Sequence, residues 1–455
     1  MSHKYRIEND SMGAVSVPES ALYGAQTQRA VDNFKISGTP MPARFIQSLG
    51  LVKAAAARAN RESGVLDADI ADAIYSAALK VASGEYLDQF PIDVFQTGSG
   101  TSTNMNANEV IASLAAQQFG KRVNPNDQVN CSQSSNDVIP TTIHVSASLA
   151  IHEQLIPGIK QLADVIRTRE KELKNQLKTG RTHLMDAMPI TFAQELSAWR
   201  SQLELSIQRL QDTQKRLLKL AQGGTAVGTG VNAPNNFSEI FCDELTSLTL
   251  LDFEPADNLF ASLSSQDTAV ELSGQLKTLA VALMKIANDL RWMNSGPLSG
   301  LGEISLKALQ PGSSIMPGKV NPVIPEAVAM VSAQVIGNDA TIAVAGQSGN
   351  FQLNVMLPLI AFNLLQSIDL LANACVSLSK TSMAHFLVNI DVVEANLARN
   401  PMLITALNTE IGYSKAAEIA KKAYMEKRPI LQLAIEMTDL DEQYLIKLLD
   451  PKKLV

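Results

Sequence analysis

The chain has 455 residues, a length that at roughly 100–200 residues per domain corresponds to about three domains. Apolar residues make up 46%, aromatic residues 5% and charged residues 18%, which excludes a disordered or highly charged chain and points to a core filled by aliphatic side chains. Forty-five acidic residues against 38 basic ones leave a formal charge of −7, which argues against a nucleic-acid polyanion as the main partner but not against a small anion held by local donors.

The N-terminal run Met1-Ser-His-Lys-Tyr-Arg-Ile-Glu-Asn-Asp is too charged for the apolar core of a secretory leader. No uninterrupted run of about 18 apolar residues follows, so a soluble, cytoplasmic chain without membrane contacts is expected. From 1 to about 140 the pattern is mixed, with helices predicted over 42–63 and 67–82 between Gly, Pro and Asn punctuation. After Pro140 the character changes. Segments near 141–177, 189–222, 264–294, 322–346 and 351–380 are long and apolar at helical spacing. Leu196, Trp199, Leu203, Ile207 and Leu210 form one stripe, and Leu276, Leu279, Ala280, Leu283, Ala287 and Leu290 form another. Helices of about 30 residues span about 45 Å, which with Ala and Leu on more than one face predicts burial against other subunits. From about 391 a smaller helical piece follows, with helices predicted over 412–424 and 438–449. The expected fold class is mainly α, a three-part chain (1–140, 141–390, 391–455) whose central part is a bundle of long helices.

Four polar, Gly-rich segments interrupt this helical text: Thr97-Gly-Ser-Gly-Thr-Ser-Thr-Asn-Met-Asn-Ala-Asn, Ser132-Gln-Ser-Ser-Asn-Asp, Thr179-Gly-Arg-Thr-His-Leu-Met-Asp-Ala and Gly312-Ser-Ser-Ile-Met-Pro-Gly-Lys-Val-Asn-Pro. The first two offer hydroxyls, amides and flexible backbone N–H groups, donors that hold a carboxylate without a metal, although the same residue types also cap helices and make turns. The third carries His183, one of five histidines, between Thr182 and Asp186 in a turn expected to lead into a helix, a setting that suits a general acid or base. His3 lies in the terminus, and His144 and His152 lie within helical patterns. In the fourth, Gly312 and Gly318 bracket Ser313, Ser314 and Met316 in a loop able to move over a site, while Lys319 and Asn321 supply a cation and an amide before Pro322 opens a helix. Gly223-Gly-Thr-Ala-Val-Gly-Thr-Gly follows a helix and matches neither GxGxxG nor GxxxxGK[ST], so it reads as a tight interhelical turn, with a share in shaping the site as the alternative. Cys131, Cys242 and Cys375 stand far apart with no CxxC pair, which writes neither a disulfide framework nor a thiolate metal site.

Together the four segments resemble the fumarase/aspartase superfamily in its class II fumarate hydratase form, and the likeness runs from Tyr23-Gly-Ala-Gln-Thr-Gln-Arg-Ala to Thr405-Ala-Leu-Asn-Thr-Glu-Ile-Gly-Tyr. The run from Gly312 to Pro322 is similar to the superfamily signature. Ser99 and Ser135 look like the fumarase branch, where aspartases tend to carry Ala and Thr, as do Trp199 and Ile286-Ala-Asn-Asp-Leu-Arg-Trp-Met. The resemblance implies reversible hydration of fumarate to (S)-malate, as in the tricarboxylic acid cycle, by a homotetramer with a shared helical core and sites built from three subunits. Aspartate ammonia-lyase and an inactive helical scaffold are the alternatives.

The resemblance also implies residue roles. Ser313 takes the C3 proton of malate, Lys319 and Asn321 stabilise the resulting aci-carboxylate, and His183 with Glu326 handles the water. Ser99, Gly100, Thr101, Ser134, Ser135, Asn136, Thr182, Ser314 and Val320 complete the substrate site. No metal or other cofactor is implied. At a second anion site, where many members carry His-Pro-Asn-Asp, this chain has Asn124-Pro-Asn-Asp, so Asn124, Pro125, Asn126 and Asp127 keep the turn while Asn124 brings no positive charge; Lys121 and Arg122 stand just before it.

Overall fold

Helices make up 63% of the chain. The structure, a computed structural model, describes residues 4–455, and His3 lies outside the described residues. Contacts divide the chain into two units: one comprises the chain up to Pro157 with Ser206–Ala280 and Ala333–Ala372, the other Gly158–Leu205, Val281–Ser332 and Asn373–Val455.

The first unit opens with an antiparallel hairpin, Tyr5–Asp10 against Gly13–Pro18, with Tyr5 opposite Pro18. The helices predicted over 42–63 and 67–82 are found at Ala43–Glu62 and Ala68–Ala82. Ala54, Ala55, Ala56 and Ala78 are fully buried beside Phe45, Leu49 and Val52. Small side chains let helix backbones approach closely, which is how a core at native density forms with so few aromatic rings. Lys53 is buried on the same helix.

The helix expected from about 141 starts earlier. The helix runs Ser135–Ala150 with Pro140 inside it, then continues through a wider turn at Ile151–Leu155 into Ile156–Glu172. Ser134 and Asp137 form a capping box at its start, an arrangement that stabilises a helix by about 1 kcal/mol. A proline so near the start forfeits one intrahelical bond, to the Asn136 carbonyl.

The remaining long helices are Phe192–Leu217, Asp267–Met293, Val323–Gly346 and Leu357–Ser377, each inside its predicted segment. Every residue of the two predicted stripes is buried. Val323–Gly346 and Leu357–Met383 are long and apolar enough to cross a membrane by length and composition. That average hides interior polar groups: Asn338 on the first donates Nδ2 to Gln366 Oε1 and Ser367 Oγ on the second, both at 3.0 Å. Along Val323–Gly346 the apolar Met330 and Val344 are exposed, at 68% and 56%.

In the second unit the C-terminal piece packs Leu407, Ile419, Leu433 and Leu445 into its own core. The helix predicted over 412–424 lies within Asn408–Glu426, bent at Gly412 (φ 76°, ψ 157°). The one predicted over 438–449 is shorter, Glu442–Leu448, because Asp441 caps it by accepting from the N–H groups of Gln443 and Tyr444. Thr438 instead closes the preceding helix, Ile430–Met437, by donating to the Ala434 carbonyl.

Candidate active site

Two of the four polar segments lie at helix N-termini of the first unit. The Thr97 segment leads into Thr101–Phe119 with Gly100 as cap in the left-handed region (φ 71°), and the Ser132 segment leads into Ser135–Ala150 with Ser134 as cap. Gly98 is needed for a different reason: a Cβ there would fall 1.8 Å from the Val355 carbonyl oxygen. The positive end of the dipole favours an anion at such termini, where Thr97 Oγ1, Gln96 Oε1 and Ser134 Oγ already accept from the N–H groups of Ser102, Thr103 and Asn136. Ser99 Oγ and Thr101 Oγ1 lie 2.7 Å apart, and Asn104 on the first helix donates Nδ2 to Ser135 Oγ at 2.9 Å. Through Asn104, therefore, Ser99, Gly100 and Thr101 are tied to Ser134, Ser135 and Asn136 in one cradle of hydroxyls and amides.

The Gly223 run serves this cradle from behind. Asn136 Nδ2 donates to the Ala226 carbonyl at 2.8 Å, and Asp137 Oδ2 accepts from the N–H groups of Gly223 and Thr225 at 3.1 and 2.9 Å. A loop with the look of a phosphate binder thus holds a carboxylate of its own chain. Burial pushes the Asp137 carboxyl up to about 6, against the downward pull of the Ser134, Thr225 and Gly223 N–H groups and of Lys53. In the sequence Asp137 stands at the end of the Ser132 segment with nothing to mark it as buried. Lys53 is marked only by its place inside an Ala-rich apolar run.

The third segment lies in the second unit and is a hairpin, not a turn into a helix: Leu177–Thr182 pairs with Met185–Thr191, and His183 and Leu184 form the tip. Both tip residues are left-handed, at φ 57° and 61°. A two-residue turn of this hand matches the twist of the strands and normally takes Asn-Gly, so two non-glycine residues here are held against roughly 1 kcal/mol or more each. Thr182 and His183 are exposed, and Arg181 and Lys178 on the strand before them join an ion network around the buried Glu303. Glu303, 1% exposed, accepts from Arg181 through both oxygens at 2.6 and 3.1 Å and lies 3.1 Å from Lys178 Nζ, which also meets Glu195 at 2.6 Å. Nothing local in the sequence marks Glu303, because its partners lie over 120 residues away.

The fourth segment closes on itself. Gly312 N–H donates to the Lys319 carbonyl, Asn321 Nδ2 donates to the Gly312 carbonyl, each at 2.8 Å, and Lys319 Nζ donates to Asn321 Oδ1 at 2.6 Å. Within this neck Ser313 Oγ accepts from the N–H groups of Ile315 and Met316 at 3.2 and 3.0 Å. Two backbone donors on one hydroxyl oxygen favour negative charge there. Ser314 is exposed beside it. Lys319, Val320, Asn321 and Glu326 line a cavity of about 840 Å3 with Arg291 and Asn389, and Ser313 borders a separate hollow of about 440 Å3 with Lys319 and Val320. Among the described residues no hydrogen bond joins His183 to Glu326 or to Ser313.

At the second-anion segment, Asn124 caps a single wide turn, Pro125–Val129, its Oδ1 accepting from the N–H groups of Asn126 and Asp127 at 2.9 and 3.1 Å. Arg6, Arg122, Asn124, Pro125 and Asn126 border a cavity of about 350 Å3. His144 is structural: it is half-buried with Nδ1 2.9 Å from the Lys219 carbonyl, and desolvation holds it below the usual imidazole range.

Residues 13–337 match the family described as lyase, and residues 403–455 match the one described as fumarase C C-terminus. The class II fumarate hydratase 2 of Pseudomonas aeruginosa is 61% identical over 99% of this chain and 98% of its own, and that of Xylella fastidiosa is 58% identical over 100% and 96%. The crystal structure of recombinant class II fumarase from Schistosoma mansoni superposes with a TM-score of 0.97 at 37% identity, covering 99% of both chains. With the helical fold and all four segments in place, the chain belongs to the class II fumarate hydratase family of the fumarase/aspartase superfamily.

Proposed function

We propose that this protein is a fumarate hydratase, catalysing reversible hydration of fumarate to (S)-malate in the tricarboxylic acid cycle. The observation that carries the reading is the pair of helix N-termini whose hydroxyls and amides, tied by Asn104, form a cradle for a carboxylate. Ser99, Gly100, Thr101, Ser134, Ser135 and Asn136 bind substrate carboxylates, with Thr182, Ser314 and Val320 completing the site. In the malate-to-fumarate direction Ser313 takes the C3 proton, and Lys319 and Asn321 hold the charge that collects on the adjacent carboxylate. The C2–O bond then breaks, and His183, oriented by Glu326, gives the departing hydroxyl its proton. Hydration runs the same steps in reverse.

The active form is a homotetramer in which each site takes its segments from three subunits, so that His183 meets Ser313 and Glu326 of other copies. The exposed Met330 and Val344 on Val323–Gly346 support this, since an apolar helix face of that kind calls for another helix against it. The three parts 1–140, 141–390 and 391–455 act as cradle, shared bundle and C-terminal cap. The enzyme works as a soluble cytoplasmic protein, and the segment Asn124–Asp127 forms the turn of a second, weaker anion site.

The deciding assay follows the ultraviolet absorbance of fumarate with purified protein, with and without ammonia. Loss of absorbance in ammonia-free buffer is the expected result. A strict requirement for ammonia makes the protein an aspartate ammonia-lyase, and no loss under either condition leaves an inactive scaffold.

A further inference from the structure

Behind the cradle lies a buried polar relay that begins on Lys53. This side chain is fully buried, and its Nζ donates to Asn130 Oδ1 at 3.1 Å and to Gln133 Oε1 at 3.0 Å. An amine so placed has only hydrogens to offer these two oxygens. That fixes which end of each amide faces it. Asn130 Oδ1, turned towards Lys53, is then an acceptor for every other neighbour. Asn104 and Asn108 both present Nδ2 to it at 3.1 Å. Asn104 spends its second amide hydrogen on Ser135 Oγ at 2.9 Å. The surrounding bonds agree in direction: Asn130 Nδ2 donates to the Gln133 carbonyl, and Gln133 Nε2 donates to the carbonyls of Val129 and Cys131.

We infer that Lys53 is a positioning residue for substrate binding: through Asn130 and Asn104 it keeps Ser135 Oγ accepting on its inner side, so that the Ser135 hydrogen points outward as a donor to a substrate carboxylate. The inference rests on the reading of Ser135 as a carboxylate ligand. A free hydroxyl can rotate and present either lone pair or hydrogen. Facing an anion, only the hydrogen is useful, and a serine already accepting from Asn104 gives up its hydrogen without first breaking another bond. Preorganisation of this kind lowers the cost of binding and leaves the chemical step alone.

The direction of the relay survives a change of charge on the lysine. Burial pulls Lys53 down to about 7, partly opposed by the nearby Asp137. A neutral amine still carries two hydrogens for its two acceptors. The buried Asn104 Oδ1 and Asn108 Oδ1 have no hydrogen-bond partner among the described residues. Turning either amide over would bring its oxygen against Asn130 Oδ1, and the lysine forbids the compensating turn of Asn130.

The test is steady-state fumarate hydration by the full chain, reading KM and kcat separately. Ser135→Ala should raise KM by roughly tenfold or more, the loss of one hydrogen bond to a charged group. Lys53→Met and Asn104→Ala should each raise KM severalfold with kcat within about threefold of the starting enzyme. Introduced into Ser135→Ala, neither should raise KM further by more than about twofold, because the hydroxyl they orient is gone. Asn104→Ala probes the relay from its middle, so a Lys53→Met chain that fails to fold does not end the test. If either relay variant multiplies KM equally in both backgrounds, or lowers kcat alone, the relay is wrong while Ser135 keeps its role. If Ser135→Ala leaves KM unchanged, the reading of Ser135 as a ligand falls, and the inference falls with it.

Discussion

Replacing Glu303 by Gln tests how the hairpin that carries His183 is held. The carboxylate is 1% exposed and stands between Arg181 and Lys178, with Glu195 as the other anion of the network. Gln has nearly the same volume, so no cavity opens. Its single carbonyl oxygen can serve one cation, but its NH2 then faces the other, and the buried Lys178 and half-buried Arg181 are left with one carboxylate. At an effective dielectric of about 20, unit charges about 3 Å apart attract by roughly 5 kcal/mol, and breaking a buried pair by removing one partner costs about 3–5 kcal/mol. Large multidomain proteins usually unfold irreversibly, so the expected readout is the half-life of activity at a fixed elevated temperature, shortened at least about tenfold. Arg181 lies two residues before His183, so kcat for fumarate hydration at 25 °C should fall as well, while far-ultraviolet circular dichroism keeps its helical amplitude. An unchanged half-life together with an unchanged kcat would refute the idea that this network sets the hairpin.

Ser313→Ala should lower kcat by several orders of magnitude while sedimentation shows an unchanged assembly, because a loop hydroxyl adds little to the core; near-normal turnover removes Ser313 as the base. His183→Asn should have a comparable effect on kcat, and a negligible one leaves the handling of water to another group. Gly98→Ala, which sets a methyl carbon 1.8 Å from the Val355 carbonyl oxygen, should destabilise the first unit by about 2 kcal/mol or more. A melting temperature equal to the wild type would contradict the close approach of these backbones. Asp137 has a carboxyl raised from 3.8 to about 6, so the folded state binds its proton more tightly than the unfolded one and loses that advantage as pH rises between those values. Relative to Asp137→Asn, the wild-type melting temperature should therefore fall from pH 4 to pH 6, and a difference that stays constant or grows over that range contradicts the raised carboxyl.

Long-range pairing separates what the sequence made legible from what it hid. The stripes from Leu196 to Leu210 and from Leu276 to Leu290 are local periodic signals, and the helices formed as that spacing requires. The four polar segments stood out for the same reason, being runs of unusual composition. Pro140 lies inside a helix because the capping box that begins at Ser134, six residues upstream, starts the helix before it. The His183 hairpin was hidden because Leu177–Thr182 and Met185–Thr191 lack a regular alternation and the turn carries no glycine. Lys53 and Glu303 were the hardest to see, since a charged residue in a helical or loop pattern ordinarily points to water, and only partners far away in sequence make their burial tolerable.

The loop that cups Asp137 also bears on how the protein matures. Its contacts with the start of the Ser135–Ala150 helix span 86, 88 and 90 residues of chain. A ribosome-bound chain that has emerged only as far as residue 222 has the helix and its serine cap, but not the amide groups that later close around the carboxylate. Joining points so far apart has an entropic cost that contacts within one helix do not bear. The cradle therefore becomes native late, after the helices that carry it, and a slow step that restores substrate binding should trail the recovery of helical signal when the protein refolds.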